Sequence, residues 1–91
     1  MGIHVSLPGP MRRFTGGAGE IAAGGASVRE LLDNVTAEYE GLRERLFDDG
    51  DRIRRFINVF VNDQNIRHLD GLDTPLADGD RVSIVSAIAG G

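Results

Sequence analysis

A single amphipathic helical stretch interrupts a chain whose other apolar segments all read as strands. Ser27-Val28-Arg29-Glu30 has the form of a capping box, in which a serine hydroxyl and a glutamate carboxylate satisfy free amides of a helix's first turn. Val28, Leu31, Leu32, Val35 and Tyr39 then recur at helical spacing on one face, and Gly41 supplies a C-terminal stop. A lone helix can bury such a stripe against only one face of a sheet. The chain of 91 residues is therefore constrained to one core in a two-layer α+β domain.

The flanking segments set the order of strands. Residues 3 to 7 alternate, with Ile3, Val5 and Leu7 on one side and His4 and Ser6 on the other, and Pro8-Gly9-Pro10 ends the run. The glycine-rich stretch Thr15 to Gly25 reads as a loop returning through a short strand around Gly19 to Ala23. After the helix, Leu42, Leu46 and Phe47 cover the end of the core, leaving Arg43, Glu44 and Arg45 in water. Phe56 to Val61 is rich in β-branched and aromatic types and reads as a central strand. Asn62-Asp63-Gln64-Asn65 has turn chemistry leading to a short strand near Ile66 and Arg67, and Leu72 and Leu76 are expected to be buried in the connection that follows. The last strand, Arg81 to Ser86, is entered through the turn Asp78-Gly79-Asp80. Connection rules leave few topologies for this order. The leading candidate lays the first and last strands side by side and parallel: a β-grasp arrangement, with a mixed sheet of four to five strands on one main helix. The expected division is a domain over residues 1–86 and a tail over 87–91.

Composition removes several classes of function. There is no cysteine, which excludes disulfides, cysteine-ligated zinc, iron–sulfur clusters and thiol catalysis. The net charge of −4 argues against a nucleic-acid binder, whose affinity comes from phosphate neutralisation. The basic run Arg52-Ile53-Arg54-Arg55 follows Asp48-Asp49-Gly50-Asp51, so the two partly cancel as a solvated loop; the acidic run lacks the alternation and distal glutamate of a calcium loop. His4 and His68 have no motif around them that would make them catalytic or metal-binding. No apolar run is long enough for a signal peptide or membrane span, and a cytoplasmic monomer is expected.

The chain closes on Ala87-Ile88-Ala89-Gly90-Gly91, directly after the last strand. Two glycines present no side chain to obstruct a carboxylate entering a narrow slot, which suggests a substrate or carrier rather than a catalyst. Every basic residue is arginine. With neither lysine amine nor thiol on the chain, an activated C-terminal acyl group meets no strong internal side-chain nucleophile.

Taken together, Phe56-Ile57-Asn58-Val59-Phe60-Val61-Asn62-Asp63, Gly71-Leu72, Leu76-Ala77-Asp78-Gly79-Asp80-Arg81-Val82-Ser83-Ile84 and the closing Ala87 to Gly91 resemble the MoaD/ThiS family of ubiquitin-like sulfur carriers, and within it the CysO-type branch. The resemblance implies that an E1-like enzyme adenylates the Gly91 carboxylate with ATP and that a sulfur donor converts it to a thiocarboxylate. ATP belongs to that partner, and no cofactor is expected on the chain. The sulfur-accepting enzyme implied is a pyridoxal-phosphate cysteine synthase using an activated serine, followed by a releasing peptidase of the metallopeptidase class. Molybdopterin, thiamine or thiosugar synthesis are the alternatives within the class. A ubiquitin-like protein modifier and a passive interaction domain are the alternatives outside it.

The same resemblance ranks the sites. Gly91 bears the thiocarboxylate and Gly90 gives it clearance, while Ala87, Ile88 and Ala89 are tail contacts for the activating enzyme, with packing back on the domain an equal alternative for Ile88. A hydrophobic docking patch is expected on the sheet face away from the helix, with Leu7, Phe60 and Ile66 as candidates whose core role is an equal alternative. Arg12 and Arg13, just past the first strand, are expected to pair with acidic groups on the E1-like partner or to be ordinary surface residues.

Overall fold

In the computed structural model, which describes residues 2–87, Ser27 caps the helix as its sequence requires. Its backbone is extended and its hydroxyl accepts the amide of Glu30 at 3.2 Å. The Glu30 carboxylate returns one residue beyond the usual position, to the Ala26 amide at 3.1 Å. Helix α1 (Val28–Glu38) buries Val28, Leu31, Leu32 and Val35 completely, with Tyr39 packed at the edge of the core. It stops before Gly41, because Tyr39 already turns to an extended conformation. Gly41 instead has a positive φ of 89°, and a Cβ there would lie 2.9 Å from the Phe14 ring. It serves a turn and a close approach, not the helix terminus.

Five strands form one sheet: β1 (Ile3–Ser6), β2 (Glu20–Ala23), β3 (Ile57–Val61), β4 (Gln64–Asn65) and β5 (Arg81–Ser86). Their spatial order is β2-β1-β5-β3-β4, with β1 and β5 parallel and all other pairs antiparallel. This is the β-grasp topology expected from the connection rules. Alternation directs Ile3, Val5, Ile57, Val59, Val61, Val82 and Ile84 into the core shared with α1. His4, Ser6, Asn58, Phe60, Ser83 and Val85, which alternate with them, lie on the other face.

Several local features differ from the sequence reading. Gly9–Thr15, where the sequence marks only the end of the first strand, forms a 3₁₀ segment that buries Met11. The β3–β4 turn contains Asn62 and Asp63 alone, both with positive φ as a two-residue hairpin of the I′ kind demands. The strand therefore falls at Gln64–Asn65, and Ile66 opens a 3₁₀ turn. Leu72 and Leu76 are packed against the core but only partly buried. A short helix α2 (Arg43–Leu46) buries Leu46. Arg43 is not simply solvated, since it donates to Asp33 and Asp51 at 3.1 and 3.2 Å and lies over the Phe47 ring at 4.5 Å. The acidic run is a closed turn in which Asp48 accepts the amides of Gly50 and Arg52.

Asn62 and Asp80, two residues of the sequence motif, interlock. The Asn62 side chain donates to Asp80 at 3.0 Å and accepts the Arg81 amide at 3.0 Å, while Asp80 also accepts the Ala77 amide at 2.8 Å. The Ala77 amide and then the Asn62 side chain hold the Asp80 carboxyl below its ordinary pKa. These contacts pin the start of β5 to the β3–β4 turn.

Two predictions follow from this framework. A Cβ on Gly25 would sit 2.5 Å from the Leu31 backbone nitrogen, whereas one on Gly24 meets nothing within 4 Å. Gly25→Ala is expected to destabilise by about 1–3 kcal/mol and Gly24→Ala by less than about 0.5 kcal/mol, measured by denaturant unfolding. For Asp80, a folded pKa below the unfolded value of about 3.9 gives stabilisation that is present above that value and lost as pH falls through the folded one. Asp80→Asn should flatten the acid limb of the stability–pH curve; an unchanged limb would contradict this.

Candidate functional site

Strand β5 carries the candidate site, and both its edges are paired. Val82 and Ser83 lie opposite Val5 and Ser6 on β1, while Val82 to Ser86 lie opposite Val61 to Ile57 on β3. The pairing continues one residue past the strand, because the Ala87 amide donates to the Phe56 carbonyl at 2.7 Å. Ala87, expected to be the first tail residue, is thus held to the domain by its backbone. Ile88, Ala89, Gly90 and Gly91 lie outside the described residues.

The docking patch expected on the open sheet face is only partly made of the residues named for it. Phe60 is on that face and half-buried. Leu7 is not: it is 1% exposed, continuing the inward alternation of Ile3 and Val5, and its amide donates to the Gly19 carbonyl at 2.9 Å. Ile66 is also core, 5% exposed, because the 3₁₀ turn folds it beneath β3. The two large apolar residues most exposed among the described residues are Val85, at 43%, and Leu69, at 37%. A cleft of about 430 Å³ lined by Phe60, Asn65, His68 and Leu69 marks the β3–β4 side of the face. Ser6 and Ser83 lie in the same row across the sheet as Phe60. Val85 was legible, as an apolar residue at an outward position of the last strand. Leu69 follows a 3₁₀ turn and carried no periodic signal.

Charged groups border the face. Glu20 on β2 pairs with His4 at 3.4 Å and with Arg81 at 3.9 Å, so its far edge is polar. The two arginines after β1 separate in role. Arg12 donates from Nε to the Leu7 carbonyl at 3.1 Å, and its guanidinium fills the space a Gly19 side chain would need. Arg13 lies over the Phe14 ring at 4.9 Å and has no carboxylate partner among the described residues. Among the described residues no group of three or more histidine or acidic side chains could hold a metal ion, and no helix is long and apolar enough to cross a membrane. What this arrangement provides is a strand anchored by its backbone through Ala87, with Phe60 and Val85 on the outward face of the sheet.

Known proteins share the arrangement. The family model described as "ThiS family" matches residues 5–91. The sulfur carrier protein CysO of Mycobacterium tuberculosis is 40% identical over 93 residues, covering the whole of both chains. Small archaeal modifier protein 3 of Haloferax volcanii is 44% identical over 66 residues, 72% of this chain and 71% of that protein. A chain in the crystal structure of the Amycolatopsis orientalis BexX/CysO complex superimposes with a TM-score of 0.90 at 40% identity, covering 98% of this chain and 99% of that one. From its first strand through residue 91, this chain belongs to the ThiS family.

Proposed function

We propose that this protein is a sulfur carrier whose Gly91 carboxylate is adenylated by an E1-like enzyme and then converted to a thiocarboxylate. The observation that carries the proposal is the backbone anchoring of β5, paired to β1 at its start and to β3 as far as Ala87, immediately before Ile88-Ala89-Gly90-Gly91, in a chain of the ThiS family. A carboxylate is a poor electrophile at neutral pH. Attack on the α-phosphorus of ATP releases pyrophosphate and leaves an acyl adenylate, from which a sulfur nucleophile displaces AMP. The resulting thiocarboxylate is ionised and soft. The chain offers no cysteine thiol and no lysine amine to intercept the adenylate, since both residues are absent.

Cysteine synthesis is the destination best supported, because the full-length likeness is to CysO. The thiocarboxylate sulfur would take the place of the leaving group on Cβ of an activated serine held by a pyridoxal-phosphate cysteine synthase. The Gly91 acyl group would pass from sulfur to the new cysteine's amine, and a metallopeptidase would hydrolyse that amide to free cysteine and the Gly91 carboxylate. ATP and pyridoxal phosphate reside on those partners. The carrier's own residues bind and position: Phe60, Val85 and Leu69 form the docking face, and Gly90 keeps the approach to Gly91 narrow. Residues 88–91 extend at most about 13 Å, at roughly 3.3 Å per residue, which suits a partner centre just beyond the docking face. The setting proposed is the cytoplasm, with the free carrier a monomer.

A second reading, a protein modifier joined through Gly91 to lysines of other proteins, is favoured by the likeness to small archaeal modifier protein 3. Immunoblots of host lysate distinguish the two. Higher-mass species that survive reducing denaturation are expected of a modifier, and the free form alone of a carrier.

The proposal is tested by intact mass spectrometry of the protein from its native host, before and after thiol-directed alkylation. Since the chain has no cysteine, exchange of one oxygen for sulfur with alkylation at Gly91 is the expected result. Absence of adenylate and thiocarboxylate after incubation with ATP, a sulfur source and the host's E1-like enzyme would overturn it. Replacing Gly91 with tryptophan should abolish activation. Val85→Asp should slow activation on the order of tenfold to a hundredfold while leaving the circular dichroism spectrum unchanged; wild-type rates would remove the open face from the docking surface.

A further inference from the structure

Beside the root of the tail lies a second surface of different character. A cleft of about 760 Å³ is lined by Met11, Arg13, Glu44, Arg45, Arg54 and Phe56, among others. Its position is fixed by Phe56, whose carbonyl accepts the Ala87 amide. Arg13 and Arg45 come from separate segments, yet both guanidiniums lie over the ring of Phe14, at 4.9 and 5.6 Å. Arg54 is turned in from the loop before β3 by a 2.7 Å bond from Nε to the Glu44 carbonyl. None of the three has a carboxylate within ion-pair distance among the described residues, which is true also of Arg12, Arg55 and Arg67, but only these three meet in one cleft.

Cations gathered on one aromatic ring repel one another, and the ring face compensates only partly. An incoming anion relieves that repulsion, and guanidinium forks suit carboxylates in particular. We infer that this cleft receives an acidic segment of the activating partner, guiding it to the point where the tail leaves the domain. Two features select a carboxylate-bearing peptide over a polyphosphate. The walls include the apolar side chains of Met11 and Phe56, and Glu44 on the rim disfavours concentrated negative charge. The identity of the partner rests on the function proposed above; the chemistry of the cleft does not.

The test is titration calorimetry of the chain with the host's E1-like enzyme. Arg13→Gln/Arg45→Gln should weaken binding roughly tenfold, and wild-type affinity should fall as salt rises toward about 0.5 M. Arg13→Lys/Arg45→Lys, which keeps the charge, should recover most of the loss, and Glu44→Gln should tighten binding. A glutamine double variant that remains folded and binds like wild type would overturn the inference. If the wild-type chain fails to bind the enzyme at all, the sulfur-carrier reading fails instead. The cleft is then decided by titrating ¹⁵N-labelled protein with a short glutamate- and leucine-rich peptide. Amide shifts at Met11, Arg45 and Phe56 that disappear in the glutamine variant sustain the inference. Absence of those shifts, or equal shifts with inorganic phosphate, overturns it.

Discussion

Strand β5 is paired on one side to β3 along its length and on the other to β1 over its first half, and the rest of the molecule is arranged so that this can be so. Its parallel partner β1 opens the chain, and its antiparallel partner β3 lies in the second half. A parallel pair cannot be joined by a tight turn, so the intervening segments must cross over, and α1 is the element that does it while covering the core face. Central placement gives the start of β5 a better anchor than an edge strand would have, since opening it there would have to break two ladders at once. Towards its end the β3 ladder alone carries the backbone to Ala87, the anchor from which the proposed carrier would offer residues 88–91.

The polar residues that carry the family resemblance lie away from Ala87. Asn62, Asp63 and Asp80 read as turn residues along the chain, and their side chains and backbones build a hairpin turn and fasten it to the start of β5. They act at the opposite end of the strand from Ala87. Their part is to set register. A one-residue slip of β5 would turn Val82 and Ile84 outward and Val85 inward, exchanging the core for the docking face.

Patterns with strict periodicity were legible in the sequence. The helical stripe, the alternation of β1 and β5, and the parallel pairing of first and last strands all follow from spacing and connection rules. Leu7 shows why alternation should be trusted to the end of a run: its parity matched Ile3 and Val5, and it is buried with them. Ile66 and Leu69 were harder, because 3₁₀ turns rotate successive side chains by neither the helical nor the strand period. The Gly9–Thr15 segment was illegible for the same reason, its Pro-Gly-Pro start signalling only that β1 must end. The arginine cleft joins residues from three separated segments, so no local pattern could announce it. Only the fold brings Arg13, Arg45 and Arg54 together.

The backbone bond from Ala87 to Phe56 makes the domain a depth gauge. Because the ladder runs one residue beyond the strand, the last anchor before residue 88 is set by main-chain atoms and not by a side chain. On the carrier reading proposed above, every enzyme that engages this chain would share one upper limit on the depth of its reacting centre, counted from Ala87. Partners of unrelated chemistry would share that dimension even where they share no sequence, and a protein with a deeper channel would be refused however well its surface matched.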